Sequence, residues 1–156
     1  MVFEELYQSH WDKVYRLCMG YVNDEEWAKD IAQDTFVTVW QQLAAFRNES
    51  AIGTWIFRIA CNKCLRQIEK NNRFKKKDLP LQLEDKPGRP VDEEVAFLYK
   101  CIAQLNETDR LIISLELEDV KQAEIAGILG ISEANVRVRI HRIKEKLTQK
   151  FKSYER

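Results

Sequence analysis

Apolar residues recur every three or four positions through most of this 156-residue chain, which is the spacing of one face of an α-helix. The pattern predicts four helices over 4–21, 25–43, 53–70 and 91–104. It predicts a fifth helix before residue 118, which begins after a cap at Asn106 or Thr108. No run alternates apolar and polar positions as a half-buried strand would. We therefore predict an all-α protein with two small helical domains joined by a flexible linker.

The linker is predicted from composition. Three prolines and Gly88 stand among charged residues between the third and fourth predicted helices. Such a segment does not continue a helix, and it spans on the order of tens of ångströms when extended. We therefore expect a first domain over 1–77, a linker over 78–91 and a second domain over 92–156.

The segment 122–147 has the pattern of a helix, a tight turn and a second helix. The first helix has a small apolar face made of Ala123, Ile125, Ala126 and Leu129. Gly130 follows it, at a position where a left-handed C-cap favours glycine, and Ser132 then takes an N-cap position. The second helix has one apolar stripe and carries basic residues on its other faces. This arrangement indicates a reader of the DNA major groove, although a helical hairpin with a solvated basic face has the same pattern.

The charge of the chain is segregated along its length. The formal net charge is zero, but 63–77 and 137–152 are strongly basic, whereas 1–35 and 78–119 are acidic. Two basic stretches separated by acidic ones suit a protein that meets DNA at two places and another partner between them.

Several classes of protein are disfavoured by what the sequence lacks. No apolar run approaches membrane-spanning length and no signal-peptide pattern opens the chain, so we expect a soluble cytoplasmic protein. Cys61 and Cys64 have the spacing of a metal or redox pair, but no second Cys or His pair lies nearby, so we expect reduced structural thiols and no cofactor. No glycine-rich phosphate loop or clustered catalytic site favours an enzyme.

Motifs along nearly the whole chain occur in a recognisable order. They lie at 30–40 (DIAQDTFVTVW), 46–50, 54–62 (TWIFRIACN), 103–110 (AQLNETDR), 124–126 and 130–147. In this order and spacing they resemble the extracytoplasmic-function (ECF) sigma factors of bacterial RNA polymerase. The resemblance implies a promoter-specificity factor that binds core RNA polymerase, recognises the −10 and −35 promoter elements and initiates transcription.

The resemblance assigns the second predicted helix to the clamp of the polymerase's largest subunit. The implied contacts are Asp30, Gln33, Asp34, Phe36 and Trp40. An acidic edge can pair with basic clamp residues, and an outward tryptophan would find an apolar partner. For Phe36, burial in the core remains an equal alternative, since large aromatic side chains are often buried.

The resemblance also assigns two DNA-binding surfaces. The loop before the third helix and that helix itself would melt the −10 element and hold an unstacked base, through Phe46, Arg47, Asn48, Ser50, Arg58, Asn62, Lys63 and Arg66. Trp55 is better explained as a core anchor. On the recognition helix, Arg137, His141 and Arg142 would contact bases of the −35 element, whereas Asn135, Arg139 and Lys144 would bond to phosphate.

A partner and a competing function follow from the same reasoning. The resemblance implies an anti-sigma factor that covers the polymerase-binding surface and around which the two domains clamp. The competing function is a free-standing helix-turn-helix regulator that binds operator DNA as a dimer. The surface around Trp40 and the basic third helix distinguish the two, since such a regulator needs neither.

Overall fold

The computed structural model describes residues 2–48, 50–66 and 92–154, and within these ranges it contains α-helices, one short 3-10 turn and no strand. The seven helices are α1 (Phe3–Val22), α2 (Glu25–Gln42), α3 (Ile52–Arg66), α4 (Glu93–Ala103), α5 (Glu107–Leu117), α6 (Gln122–Leu129) and α7 (Glu133–Tyr154). This confirms the all-α prediction. The predicted linker over 78–91 and the predicted end of the third helix lie outside the described residues.

The first half, α1 to α3, packs as three mutually contacting helices. α1 ends at Asn23, whose φ of 48° is left-handed, and the Asp24 side chain then accepts a hydrogen bond of 2.9 Å from the Trp27 amide to cap α2. Fully buried side chains such as Leu17 and Ile56 fill the space between the helices. These caps fix the turn that brings α2 back along α1.

The second half, α4 to α7, contains the helix-turn-helix. Gly130 has a φ of 71° and ends α6, and the Ser132 hydroxyl accepts a hydrogen bond of 3.0 Å from the Asn135 amide at the start of α7. Both capping predictions are confirmed. The apolar face of α6 is corrected: Ala123 is exposed and Ile128 is buried. α6 contacts α3 as well as α5 and α7, so its buried face is wider and turned from the predicted one.

α7 continues past the predicted segment to Tyr154. Its last turns pack on α4, where the ring of Phe97 lies 5.0 Å from that of Phe151 and 4.2 Å from that of Tyr154, measured between centroids. These contacts between half-buried Phe97 and Phe151 and exposed Tyr154 attach the end of α7 to α4. None of the helices in the described ranges is long and apolar enough to cross a membrane.

The two halves share one hydrophobic core. α1 contacts α4 and α5, and α3 contacts α6. Arg16 on α1 makes two hydrogen bonds to the Glu118 carboxylate, of 2.8 and 2.6 Å. Arg110 on α5 donates a 2.6 Å hydrogen bond to the Tyr21 carbonyl, and its guanidinium lies 4.9 Å from the centroid of the Tyr21 ring. We call these contacts the interhalf interface. We call the packing of the two halves against each other the closed arrangement.

Candidate nucleic-acid interface

The recognition helix α7 presents the predicted base-contacting side chains to solvent. Arg137, His141 and Arg142 are all exposed. The Arg137 Nη2 lies 3.9 Å from a carboxylate oxygen of Glu133, and the His141 Nε2 lies 3.1 Å from a carboxylate oxygen of Glu145. In each pair the two residues are four positions apart on α7. Exposed pairs of this kind contribute little stability, so DNA can displace them.

Arg139 is placed differently from its neighbours. Its Nη1 lies 3.1 Å from a carboxylate oxygen of Asp109 on α5, and its Nε donates a 3.1 Å hydrogen bond to the Asn135 amide oxygen. Arg139 and Asn135 were expected to bond to phosphate. In the structure they bond to each other, and Arg139 also bonds to Asp109 on α5. Lys144 also reaches α5, where its ammonium lies 3.5 Å from Glu116, but its side chain remains exposed.

Val138 is a residue that sequence analysis missed. Its side chain is 48% exposed and lies among the basic residues of α7. The available signal was its position off the buried stripe formed by Val136, Ile140 and Ile143. In the major groove an exposed aliphatic side chain can contact the methyl group of thymine.

The basic face of α3 is built from residues four apart. Arg58, Asn62 and Arg66 are exposed on one side of the helix, and Lys63 beside them is half-buried. Burial lowers the pKa of Lys63, the nearby Asp34 carboxylate acts in the opposite direction, and the nearby Arg66 adds to the lowering. Lys63 therefore joins the basic face of α3 to the acidic edge of α2.

The loop before α3 places an aromatic ring beside exposed polar side chains. Phe46 packs on Trp55, with ring centroids 4.8 Å apart, and both are half-buried. Arg47 and Asn48 are exposed, and Ser50 is half-buried. Asn48 has a φ of 57°, in the left-handed region that asparagine tolerates better than most residues. The loop therefore presents the exposed Arg47 and Asn48 side chains just before the basic face.

The exposed part of the predicted polymerase-binding surface on α2 is smaller than expected. Asp30 and Asp34 are half-buried, and Trp40 is 37% exposed. Gln33 is buried and Phe36 is 0% exposed, which corrects the expectation that these two residues contact a partner. The Phe36 ring lies 5.2 Å from the Tyr7 ring and 5.9 Å from the Trp11 ring, so Phe36 belongs to the core, the alternative left open above.

The cysteines lie away from these surfaces. All four are free and buried, and Cys18 on α1 lies beside Cys64 on α3. Burial raises the pKa of Cys18 and Cys61 well above the usual value, which keeps their thiols protonated at neutral pH. Within the described ranges no group of three or more His, Cys, Asp or Glu side chains could hold a metal ion.

Comparison with known proteins identifies both halves. The family model of sigma-70 region 2 matches residues 6–74, and that of sigma-70 region 4 matches residues 98–147. The RNA polymerase sigma-H factor of Pseudomonas aeruginosa is 30% identical over 159 residues, covering 92% of this chain and 82% of that protein. The RNA polymerase sigma factor YlaC of Bacillus subtilis is 29% identical over 155 residues, covering 92% and 88%.

Solved structures agree with the fold across both halves. CnrH, in complex with the cytosolic domain of CnrY, matches with a TM-score of 0.72 and 25% identity over 97% of this chain and 88% of that one. The sigma factor RpoE of Bartonella quintana, in complex with the anti-sigma factor NepR, matches with a TM-score of 0.76 and 18% identity over 96% of each chain. From these relatives and both family models, the chain belongs to the ECF sigma factors of the sigma-70 family.

Proposed function

We propose that this chain is a promoter-specificity factor that carries core RNA polymerase to −10 and −35 elements and starts transcription there. The observation that carries the proposal is the presence of two exposed basic helix faces in one chain, on α3 and on α7. A free-standing operator-binding regulator needs only the α7 face, and membership of the sigma family favours the factor over such a regulator.

The polymerase surface is proposed on the outer edge of α2. Asp30 and Asp34 supply carboxylates, and Trp40 supplies exposed aromatic area near the end of the helix. Charged residues set the approach and the register of a complex, whereas a desolvated tryptophan contributes much of its affinity. Gln33 and Phe36 support this surface from inside the core.

The first half, proposed as residues 1–77, would open and hold the −10 element. Arg58, Asn62 and Arg66 offer a track for the phosphates, with Lys63 beside it, and the loop from Phe46 to Ser50 offers an aromatic ring and amide groups for an unstacked base. The second half, proposed as residues 92–156, would read the −35 element as duplex through Arg137, Val138, His141 and Arg142.

Reading both elements at once requires the two halves to separate. The −10 and −35 positions are about 25 base pairs apart, which is about 85 Å of duplex at 3.4 Å per pair. A compact chain of this length has a radius of gyration of only about 15 Å. We therefore propose that the closed arrangement opens on promoter binding, with the segment predicted as a linker over 78–91 as the tether.

A protein inhibitor is proposed for the closed arrangement. CnrH and the Bartonella RpoE are each described in complex with a partner, and for RpoE that partner is an anti-sigma factor. By this likeness, an anti-sigma factor would bind the closed chain and cover the Trp40 surface. We propose a cytoplasmic location for the protein, because the polymerase acts there.

Run-off transcription with core RNA polymerase on a pool of genomic promoters tests the proposal. We expect defined start sites that depend on the protein, and loss of both the starts and co-elution with core polymerase in Trp40→Ala. Val95→Ala is the matched control, because Val95 on α4 is also 37% exposed but lies on the other half. If the unaltered protein gives no starts and does not co-elute with core, the proposal fails and operator selection on random duplex DNA is the next experiment.

A further inference from the structure

A chain of side-chain contacts runs from the start of α5 to the start of the recognition helix. The Asn106 side chain caps α5 by accepting a 2.9 Å hydrogen bond from the Asp109 amide, and it donates a 3.0 Å hydrogen bond back to one Asp109 carboxylate oxygen. The other oxygen of Asp109 faces Arg139 at 3.1 Å. Arg139 in turn donates to the Asn135 amide oxygen. The carboxylate is thereby fixed on both sides, and its side chain is only 13% exposed.

This chain of contacts settles the orientation of the Asn135 carboxamide. Arginine has donors and no acceptor, so the group that faces its Nε must be the amide oxygen of Asn135. The other branch of the carboxamide, Nδ2, carries two N–H donors, for which no described residue provides an acceptor. Asn135 lies in the first turn of α7, the part of a recognition helix that contacts base edges.

We infer that Asp109 and Arg139 are positioning residues that hold Asn135 as a hydrogen-bond donor toward DNA, and that Arg139 does not itself contact phosphate. The inference deepens the proposed function and rests on it for the identity of the DNA site. A free asparagine reads adenine with its oxygen and nitrogen together. With its oxygen turned toward Arg139, Asn135 presents its Nδ2 donors to DNA and so favours an acceptor, which is either an acceptor base edge, such as O6 or N7 of guanine, or a phosphate oxygen.

The substitution Arg139→Lys separates this inference from a phosphate contact. Lysine keeps the charge and can still pair with Asp109, but its single ammonium does not reproduce the planar guanidinium whose Nη1 bonds to Asp109 while its Nε bonds to Asn135. A phosphate contact would survive the change. A positioning role would not, so Arg139→Lys should weaken promoter binding by the same factor as Asn135→Ala, about 2- to 12-fold for one neutral hydrogen bond.

The experiment measures binding of holoenzyme to a promoter selected by the unaltered protein, as a function of salt. We expect Arg139→Lys to cause no further loss in the Asn135→Ala background. We also expect the charge-neutral double substitution Asp109→Asn/Arg139→Gln to leave the salt slope unchanged. Additive losses, or a slope reduced by about 0.9, the value for one phosphate contact, would overturn the inference. A loss confined to one base pair identifies a base acceptor, and an equal loss on every sequence identifies a phosphate oxygen.

A second measurement decides the contact without polymerase. In the NMR spectrum of the free protein, the Arg139 Nε–H should be protected from exchange and should lose that protection in Asn135→Ala. If the unaltered holoenzyme binds no promoter while this protection is present, the proposed function fails and the positioning contact stands. If the Nε–H exchanges as freely as that of exposed Arg142, the positioning contact itself is wrong.

Discussion

The close approach of α1 and α5 gives the sharpest test of the closed arrangement. A Cβ atom added at Gly20 on α1 would lie 2.0 Å from the Ser114 hydroxyl oxygen and 3.1 Å from the Ser114 Cβ on α5. Both distances are shorter than an ordinary van der Waals contact, and Ser114 is buried. Gly20→Ala should therefore strain the interhalf interface at one defined point.

The expected magnitude comes from two opposing effects. Overpacking a tight contact typically costs about 1–3 kcal/mol, whereas replacing a helical glycine by alanine gains up to about 1 kcal/mol. Gly20→Ala alone should therefore lower the free energy of unfolding by about 0–3 kcal/mol. In a Ser114→Gly background the obstructing atoms are gone, so the same change should stabilise. The coupling energy of the cycle should be about 1–3 kcal/mol.

Urea unfolding, followed by the fluorescence of the four tryptophans, measures this cycle. Ser114→Ala offers a graded variant, because it removes the 2.0 Å contact and keeps the one at 3.1 Å. Gly127→Ala on α6 is the matched control, since nothing lies within 4 Å of the added Cβ, and it should stabilise by up to about 1 kcal/mol. If Gly20→Ala behaves like that control and the cycle is additive within about 0.5 kcal/mol, the two helices do not touch in solution.

Three further outcomes test individual side chains. Phe36→Ala should lower the free energy of unfolding by about 3–5 kcal/mol because it empties a fully buried site, whereas Trp40→Ala should change it far less; thermal unfolding of the two variants checks this. Replacing thymines of the selected −35 element by uracil should weaken binding by roughly 0.8 kcal/mol per lost methyl contact, and Val138→Ala should abolish that difference in a binding assay. Burial lowers the pKa of His10 below its usual 6.5, so the folded state disfavours the charged imidazole. Stability should be full above pH 6.5 and fall as the pH decreases below it; denaturant titrations at several pH values should show a smaller fall in His10→Gln.

Local signals in the sequence were sufficient for the turn between α6 and α7, but not for the end of α7, which extends past the predicted segment to Tyr154. Gly130 and Ser132 each act on backbone groups within four residues, so their roles follow from short-range chemistry and were predicted correctly. The basic faces of α3 and α7 were predictable for the same reason, because residues three or four apart share a face on any helix. The family resemblance then supplied functions for those faces.

Contacts between distant segments account for what the sequence left undecided. The face of α6 depends on α3, a helix from the other half of the chain, so periodicity within α6 could not place Ala123 outside and Ile128 inside. α2 has apolar residues around much of its circumference, so its sequence does not show which side is buried. Its packing on α1 places Phe36 in the core. The partner of Arg139 is Asp109, 30 positions earlier, and no local rule connects them. The sequence offered only the spacing of Asn106 and Asp109, which fits a helix N-cap and so indicates that Asp109 is held at the start of α5.

The chemistry of the interhalf interface suits an arrangement that closes and opens. The Arg16–Glu118 pair lies at the rim of this interface, where the Arg16 side chain is 46% exposed and that of Glu118 is 7% exposed, so water already reaches the arginine. In the described part of the chain, the Nε of Arg110 and the hydroxyl of Ser114 are buried at this interface without a hydrogen-bond partner, and each such group typically costs about 1–3 kcal/mol. These costs offset part of the apolar burial between the halves. Opening returns both groups to water, so the binding of polymerase and promoter has to supply less free energy than the breaking of a fully satisfied core would require.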